Sequence, residues 1–232
     1  MLRVENLQVR YGRTEAVRGI SFVVPDSTIV ALIGANGAGK TSTLNAITGL
    51  VSAHGRVSKD DVILSNLTTD NVVRCGVAQV AQGRQLFPQM SVRENLELGG
   101  FLRKPAENQR RIGELMNRFP LLAERADQAA GTLSGGEQQI VAICRALMSD
   151  PRILLIDEPC LGLAPIMIRR VTGILRDLHR AGLTILLAEQ NASFATRLAS
   201  RLILLENGRI RAEGPPDEIL GKAEIRQAYL GA

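Results

Sequence analysis

The chain has 232 residues and a formal net charge of +5, which suits ATP, an anionic membrane surface or nucleic acid without choosing among them. Hydrophobic residues make up 45% and charged residues 22%, an ordinary balance for one large globular α/β domain. Aromatic residues reach only 3% and tryptophan is absent, which argues against a surface that stacks single-stranded bases.

Two further features concern the compartment. Cys75, Cys144 and Cys160 fit neither a disulfide framework nor a zinc site, and they indicate a reducing cytosol. No apolar run approaches the roughly 20 residues of a membrane span, and the amino terminus shows no signal-peptide pattern. We therefore expect any membrane association to depend on another chain.

The amino-terminal part of the chain predicts two kinds of sheet. Residues 2–10 and 17–24 alternate apolar and polar side chains, as half-buried antiparallel strands do. Residues 29–33 are a continuous apolar run, which is typical of a strand covered on both faces. The further short strands predicted here span residues 56–58, 62–64 and 76–81.

A glycine-rich loop leads from the strand at 29–33 into a predicted helix at 42–50. Residues 34–41 read Gly-Ala-Asn-Gly-Ala-Gly-Lys-Thr, the spacing of a phosphate-binding loop. Glycines let several N–H groups converge on one anion, Lys40 adds a charge for the β- and γ-phosphates, and Thr41 offers a hydroxyl to Mg²⁺. The alternative, a glycine-rich turn with an accidental lysine, is disfavoured by this strand-loop-helix setting. The residues expected to bind ATP are Gly34, Asn36, Gly37, Ala38, Gly39, Lys40, Thr41 and Ser42.

Helical periodicity predominates between about residues 91 and 149. Ser91 precedes Glu94 by three residues, which predicts a capping box, and a helix is predicted over residues 106–119. We expect residues 91–149 to form a helical subdomain. Residues 1–90 and 150–232 are expected to form the catalytic core with an antiparallel β subdomain, all within one domain, 1–232.

A second glycine-flanked helix start lies within this helical part. Ser134 and Glu137 predict another capping box, at the head of a helix that runs to about residue 149. Gly135 and Gly136 leave N–H groups free at the positive end of that helix. The alternative is a plain helix start. Because the loop at 34–41 already holds the near side of one γ-phosphate, we expect Ser134, Gly135 and Gly136 to bind a nucleotide held by another subunit.

The apolar strand predicted at 153–156 ends in two carboxylates, Asp157 and Glu158. Ligands of open parallel sheets lie beyond the carboxyl ends of the strands, where the phosphate-binding loop also lies. We expect Asp157 to hold Mg²⁺, directly or through water, and Glu158 to orient or deprotonate the water that attacks the γ-phosphate. Two solvated acids at a strand end are the alternative, which the upstream loop disfavours.

The rest of the chain predicts a return to the parallel core. Asn191 is expected to cap a helix, and Asn207 with Gly208 is a strong hairpin signal. The predicted elements are helices at 165–179 and 191–200, strands at 183–187, 202–205 and 209–212, and a helical tail from residue 215. The fold class is therefore α/β.

These motifs together resemble the ATP-binding-cassette (ABC) ATPases, and the likeness covers essentially the whole chain. Within that superfamily the chain most resembles the ATPase subunits of branched-chain amino-acid importers. The resemblance rests on residues 34–41, 133–139, 153–165, 187–191 and 205–209. It implies a P-loop NTPase (RecA-like) fold: a parallel-sheet core with an N-terminal antiparallel β subdomain and a helical insertion.

The resemblance also assigns roles to residues that spacing alone does not. Tyr11 would stack on adenine, with a tyrosine at a strand end as the alternative. Gln82 would touch Mg²⁺ or the lytic water, and residues 82–88 lie where the family meets a permease helix, with Phe87 either a contact there or part of the core. Gln190 falls at the position of the switch histidine. Gln82 and Gln190 thus join Glu158 as expected catalytic residues, and the expected metal ligands are Thr41, Gln82 and Asp157.

Three positions depart from the family's pattern. Ala81 and Gln82 stand where the importer subfamily usually has proline and glutamate. Cys160 replaces a usual serine, hydrogen-bonds weakly and is open to oxidation. Gln190 cannot carry a positive charge toward the γ-phosphate, although it can hydrogen-bond to it. The importer subfamily commonly shows glutamine there.

The function implied by the resemblance is that of a peripheral ATPase subunit on the cytoplasmic face of the inner membrane, using ATP and Mg²⁺. The expected partners are two transmembrane permease subunits, a second ABC ATPase subunit, identical or different, and indirectly an extracytoplasmic solute-binding protein; no nucleic acid is expected. The alternatives are an importer of another polar solute such as urea or amides, a non-transport ABC ATPase acting on nucleic acid or the ribosome, and a nucleotide-gated module with little turnover.

Overall fold

Two β-sheets organise residues 1–221, which are the part of the chain that the computed structural model describes. The strands are β1 Leu2–Tyr11, β2 Thr14–Val24, β3 Ile29–Ile33, β4 Ala53–Lys59, β5 Val62–Ile63, β6 Val77–Val80, β7 Ile153–Asp157, β8 Thr184–Glu189, β9 Arg201–Glu206 and β10 Arg209–Gly214. The helices are α1 Lys40–Ile47, α2 Thr69–Arg74, α3 Val92–Gly99, α4 Pro105–Arg118, α5 Pro120–Glu124, α6 Gly135–Leu147, α7 Pro165–Arg180, α8 Ala192–Thr196 and α9 Pro216–Leu220.

The first sheet is antiparallel and has the strand order β2-β1-β4-β5. The second has the order β10-β9-β3-β8-β7-β6, and its neighbouring strands run parallel except for the antiparallel pair β9 and β10. Asn207 and Gly208 join that pair with φ angles of 50° and 76°, the left-handed conformations that a tight hairpin turn requires. The predicted α/β architecture, with an antiparallel N-terminal sheet beside a parallel core, is confirmed.

The parallel sheet is buried on both faces. One face packs with α1 against the antiparallel sheet, through side chains such as Leu32, Leu44 and Leu155. The other face packs against the helices, through side chains such as Ile156, Ile143 and Leu187. Because β3, β7 and β8 bear apolar side chains on both sides, they read as continuous hydrophobic runs in the sequence.

The register of the parallel strands brings the candidate site residues to one edge of the sheet. In the parallel sheet, Ile33 of β3 pairs with Glu189 of β8, and Asp157 of β7 pairs with Ala188 of β8. The three strands therefore end level with one another, and the segments that follow them begin at one edge of the sheet. The phosphate-binding loop follows Ile33 at that edge.

Both predicted capping boxes are present at helix starts. At α3 the Glu94 N–H donates to Ser91 Oγ at 3.1 Å, and the Ser91 N–H donates to Glu94 Oε2 at 2.7 Å. Ser134 and Glu137 make the same exchange at α6. Each box satisfies two N–H groups that the first helical turn would leave without partners.

The structure differs from the sequence-based prediction at three short helices. Helices α2 and α5 have only six and five residues, too few for an apolar periodicity to be visible. The helix capped by Asn191 was expected to reach residue 200 but ends at Thr196, because the Arg197 and Leu198 N–H groups bond three residues back and tighten the last turn. Of the predicted helical tail, residues beyond 221 lie outside the described part.

Within residues 1–221, no helix has the length and hydropathy that a membrane crossing needs.

Strand β8 ends on a buried carboxylate. Glu189 is only 3% exposed, and its Oε2 accepts a hydrogen bond from the Asn191 N–H at 3.2 Å, while its Oε1 makes no hydrogen bond within residues 1–221. Burial raises the pKa of Glu189 to about 7, with a smaller contribution from the charge of Glu158. The side chain therefore changes charge near neutral pH.

This burial makes the free energy of unfolding depend on pH. The folded-state pKa of about 7 lies above the ordinary value of 4.5, so the stabilising protonated form is fully present below the ordinary value and is lost as the pH rises through 7. Each pKa unit corresponds to about 1.4 kcal/mol, so Glu189→Gln should raise the free energy of unfolding by about 2–3 kcal/mol at pH 8. At pH 4.5 the gain should vanish.

Denaturant titrations at both pH values check this prediction. Glu124→Gln is the matched control, because Glu124 is exposed on α5 and should give no pH-dependent difference. Equal effects of Glu189→Gln at the two pH values would contradict the burial argument.

Candidate functional site

The loop between β3 and α1 has a backbone that only glycine accommodates at two positions. Gly37 and Gly39 have φ angles of 81° and 105°, in the left-handed region. A Cβ on Gly34 would lie 2.5 Å from the Leu205 carbonyl oxygen of β9. The loop thus curls tightly over the sheet edge, with the first turn of α1 opening directly after Gly39.

A cavity of about 560 Å³ lies over this loop. It gathers residues from distant parts of the chain, and the predicted site residues on its wall are Tyr11, Asn36, Gly37, Gly39, Lys40, Thr41, Ser42, Gln82 and Glu158. Ala38 lies beneath the loop, where its N–H donates to the Ala35 carbonyl at 3.1 Å. A larger cavity of about 700 Å³ lies elsewhere, near the start of β8, but salt-bridged side chains such as Arg111 and Asp150 line it and no phosphate-binding loop does.

The Lys40 side chain is buried against the phosphate-binding loop. Its Nζ donates to the carbonyl oxygens of Gly34 at 2.9 Å and Ala35 at 3.2 Å, and it lies 3.4 Å from Glu158 Oε1. The side chain is 4% exposed. The loop therefore holds a full positive charge at the point where its N–H groups and the start of α1 favour an anion.

Glu158 is held over the cavity by two contacts from opposite sides. Oε1 faces Lys40, and Oε2 accepts a hydrogen bond from Gln82 Nε2 at 3.0 Å. The backbone of Glu158 has a φ of 45°, unusual for a residue with a side chain, and its N–H is fixed by the Ala188 carbonyl at 2.9 Å. A strained backbone that neighbouring strands hold in place is typical of functional sites.

Asp157 has the environment of a cation ligand. It is 1% exposed, and neither carboxylate oxygen makes a hydrogen bond within the described residues. Burial raises the pKa of Asp157 and the charge of Glu158 adds to this, whereas the Thr41 hydroxyl and Lys40 favour the ionised form. The Thr41 hydroxyl lies near enough to act on this carboxylate, but it does not reach the geometry of a hydrogen bond. A buried carboxylate without partners beside a threonine hydroxyl fits the oxygen donors that Mg²⁺ takes.

The second predicted anion site is built at the start of α6. The Glu137 N–H donates to Ser134 Oγ at 3.4 Å, and the Ser134 N–H donates to Glu137 Oε2 at 2.8 Å. Gly136 packs on Met167, where a Cβ would lie 2.4 Å from the Met167 Cγ. Neither Ser134 nor the two glycines line the cavity over the phosphate-binding loop. The two candidate anion sites of one chain are therefore separate from each other.

The remaining predicted residues lie at the rim. Tyr11 ends β1, lines the cavity and is 47% exposed, so its ring is accessible to a flat ligand. Gln190 follows β8 and is exposed, but it does not line the cavity. Cys160 is buried, and burial raises the pKa of its thiol to about 12, which keeps it protonated and slows oxidation.

Sequence reasoning missed three features of this region. Glu189 lies beyond the strand predicted at 183–187 and enters only through the run at 187–191 that carries the resemblance, because a buried acid looks like an exposed one in sequence. Phe101 was not singled out, although it is 65% exposed. Arg84 belongs to the run at 82–88 but has no role predicted from sequence, because the left-handed backbone that aims it at α6 leaves no signal in a residue that is not glycine.

Comparison with known proteins identifies the family. Residues 17–161 match the family model described as ABC transporter. The chain is 43% identical to the high-affinity branched-chain amino acid transport ATP-binding protein BraG of Pseudomonas aeruginosa over 232 residues, which cover 100% of both chains.

Two solved structures share the fold. A nucleotide-free ATP-binding cassette from an ABC transporter superposes with a TM-score of 0.90 at 28% identity, covering 100% of this chain and 99% of that one. A dimeric ATP-binding cassette in a post-hydrolysis state, bound to ADP and phosphate, superposes with a TM-score of 0.82 at 26% identity, covering 93% of this chain and 99% of that one. These likenesses confirm the predicted P-loop fold.

The family's ATPases dimerise and associate with transporter components, and their ATP hydrolysis is coupled to transport. With its full-length likeness to an ABC transporter subunit and its ATP-binding-cassette fold, this chain belongs to the ABC transporter family as an ATP-hydrolysing, ATP-binding subunit.

Proposed function

We propose that the chain is the ATP-binding subunit of an importer of branched-chain amino acids, at the cytoplasmic face of the inner membrane. The observation that carries the role of a paired ATPase is the separation of its two candidate anion sites, since neither Ser134 nor Gly136 lines the cavity that holds Lys40. The solute is supported by the likeness to BraG alone.

ATP binding would use the groups around the cavity. The β- and γ-phosphates take the loop N–H groups and Lys40, and adenine stacks on Tyr11. Thr41 and Asp157, with Gln82, would hold Mg²⁺, which neutralises phosphate charge when bound. Lys40 exchanges its contacts with the Gly34 carbonyl and Glu158 for the phosphate oxygens.

Hydrolysis then depends on Glu158. Once Lys40 has turned to the phosphate, the Glu158 carboxylate loses its counter-ion and is free to accept a proton from water, while Gln82 keeps hold of its second oxygen. The oxygen of that water attacks the γ-phosphorus, the bond from this phosphorus to the β-phosphate oxygen breaks, and ADP and inorganic phosphate are the products.

Two cassettes would close face to face over two ATP molecules. Each ATP would be held by Lys40 of one subunit and by Ser134 and Gly136 of the other, so that neither subunit alone surrounds the γ-phosphate. Closure would drive the permease, and hydrolysis would reset it. The second cassette is a copy of this chain or a related one.

The permease would dock on an apolar groove beside the loop at residues 82–88. Phe87, Leu98 and Phe101 are exposed and line a cavity of about 370 Å³, with Arg145 and Gln85 at its side. Exposed aromatic side chains around a concave surface are typical of protein contacts. Gln85 lines this groove three positions after Gln82 in the same loop, so a partner seated there would act through that loop on a residue that holds Glu158.

Lys40→Ala should weaken ATP binding at least 100-fold, because it removes the only charged side chain within the loop. Equilibrium binding of a fluorescent ATP analogue measures this, and circular dichroism checks the fold, because Glu158 loses its buried partner. Lys104→Ala, at an exposed lysine, is the control and should leave the affinity unchanged. Unchanged affinity in Lys40→Ala would refute the site.

Glu158→Gln should reduce ATP turnover by about 100-fold or more, since the amide cannot take a proton from water. The uncleaved ATP should then hold two subunits together, and light scattering after gel filtration should show a dimer with ATP but not with ADP. Glu124→Gln should behave as the wild-type protein. Equal turnover in Glu158→Gln and wild type would favour a nucleotide-gated module with little catalysis.

Phe101→Ser should leave the ATPase rate of the isolated protein within twofold and abolish its copurification with the co-expressed permease subunits. Val62→Ser removes a similarly exposed apolar side chain on β5 and should preserve copurification. Loss of copurification in both variants, or in neither, would contradict the docking groove.

A separate experiment tests which solute the proposed importer carries. Cells that depend on this cassette and the permease genes beside it should take up labelled leucine, and the Glu158→Gln form should not support that uptake. Uptake of urea or an amide without leucine would assign another solute. A gene standing alone beside repair or translation factors would contradict a transport role.

A further inference from the structure

The loop after Gln82 has three consecutive residues in the left-handed region. The φ angles are 74° for Gly83, 67° for Arg84 and 45° for Gln85, although the last two carry side chains. Such a backbone persists only where its surroundings hold it. Here Arg145 of α6 does so, because its guanidinium donates to the carbonyl oxygens of Gln85 at 2.8 Å and Arg84 at 3.2 Å.

This backbone aims the Arg84 side chain at the start of α6. A Cβ placed on Gly135 would lie 3.0 Å from Arg84 Nη2 and 3.3 Å from Nη1, so the guanidinium rests directly on that glycine. The glycine is the first residue of the helix, next to Ser134. Arg84 therefore borders the second anion site.

The hydrogen bonds of this guanidinium are poor. Nη1 donates to Gln138 Oε1 and Nη2 donates to the Leu161 carbonyl, both at 3.4 Å, while the buried Nε has no partner among residues 1–221. A guanidinium offers five donors in a planar fork suited to oxyanions. Most of these five donors make no hydrogen bond within the described residues.

The electrostatics are also unfavourable for a lone cation. The amino-terminal end of a helix carries partial positive charge and repels a guanidinium. Glu137 is the acid of this helix turn, but it accepts from the Ser134 N–H and lies 3.7 Å from Arg125. Arg84 forms no ion pair in the part of the chain that the structure describes. An anion at the start of α6 would satisfy both the helix end and the guanidinium.

We propose that Arg84 binds the γ-phosphate of the ATP held by the opposing cassette, together with Ser134, Gly135 and Gly136 of its own subunit. The proposal rests on the face-to-face arrangement of the proposed function. It also accounts for Gln190, which brings no positive charge to the phosphate from the subunit that holds the nucleotide. Arg84 supplies that charge across the interface.

A purely structural role makes different predictions. The Arg84 side chain contacts Gln138 of α6 and the Leu161 carbonyl, so it also joins its own loop to two other segments of the subunit. Arg84→Gln keeps an amide donor for those contacts and removes the charge, whereas Arg84→Lys keeps the charge. If Arg84 binds phosphate, Arg84→Lys should retain more function than Arg84→Gln. If Arg84 only links segments of its own subunit, Arg84→Lys should have no such advantage.

The first experiment measures ATP-driven dimerisation in the Glu158→Gln background. Arg84→Ala and Arg84→Gln should raise the dimer dissociation constant at least tenfold, and Arg84→Lys should restore most of the loss. Arg74→Ala, at an exposed arginine of α2, is the control for net charge and should have no effect. Dimers of equal strength in all Arg84 variants would overturn the proposal. Absence of any ATP-driven dimer in the Glu158→Gln parent would overturn the pairing itself, and with it this proposal.

The second experiment asks which subunit Arg84 serves. In a mixed dimer of Arg84→Ala and Lys40→Ala chains, one composite site has Lys40 from the first chain and Arg84 from the second, and is complete. The mixture should hydrolyse ATP at least fivefold faster than the sum of the two variants alone. If Arg84 acts within its own subunit, neither site is complete and the rate equals the sum.

Two further mixtures of variants are the positive and negative controls for this experiment. Ser134→Ala with Lys40→Ala should also recover activity, because Ser134 acts across the interface. Glu158→Gln with Lys40→Ala should not, because both defects fall on the side that holds the nucleotide. If the mixture with Ser134→Ala recovers activity and the mixture with Arg84→Ala does not, the proposed role of Arg84 is wrong, but the two-cassette arrangement stands. Recovery with neither would overturn the two-cassette arrangement.

Discussion

The buried ion pair between Lys40 and Glu158 is the interaction on which the site depends. At 3.4 Å, with both side chains buried, it balances a positive and a negative charge that would each be costly alone in a low-dielectric setting. The pair also brings together the two side chains to which the proposed mechanism assigns phosphate binding and proton transfer. In that mechanism a γ-phosphate would compete with Glu158 for the lysine, so binding of the nucleotide would also release the proposed general base.

The rest of the fold serves to hold that pair at one sheet edge. Lys40 lies at the start of α1 because β3 ends where the loop begins, and Glu158 follows β7, whose register against β8 is fixed by Asp157 and Ala188. Apolar layers on both faces of the sheet keep these strand ends rigid and exclude water from one side of the site. The strained backbone of Glu158 is stable because neighbouring strands fix it.

The fold and the phosphate-binding loop could be predicted from the sequence because they rest on local rules. Continuous apolar runs predicted β3 and β7, and serine followed by glutamate predicted the starts of α3 and α6. Features set by tertiary packing could not be predicted. Glu189 is buried by its neighbours rather than by its own sequence, and Arg84 is aimed by a loop that Arg145, 61 positions further along the chain, holds in place. Helices α2 and α5 are too short to carry a periodic signal.

The contact between Gly136 and Met167 links the starts of two helices, α6 and α7. With no room for even a methyl group between them, the two helix ends cannot approach further, and they can separate only by opening a gap in the core. Any side chain at position 136 would therefore have to displace the Met167 side chain, so the absence of a Cβ at one helix start sets how closely the other can lie.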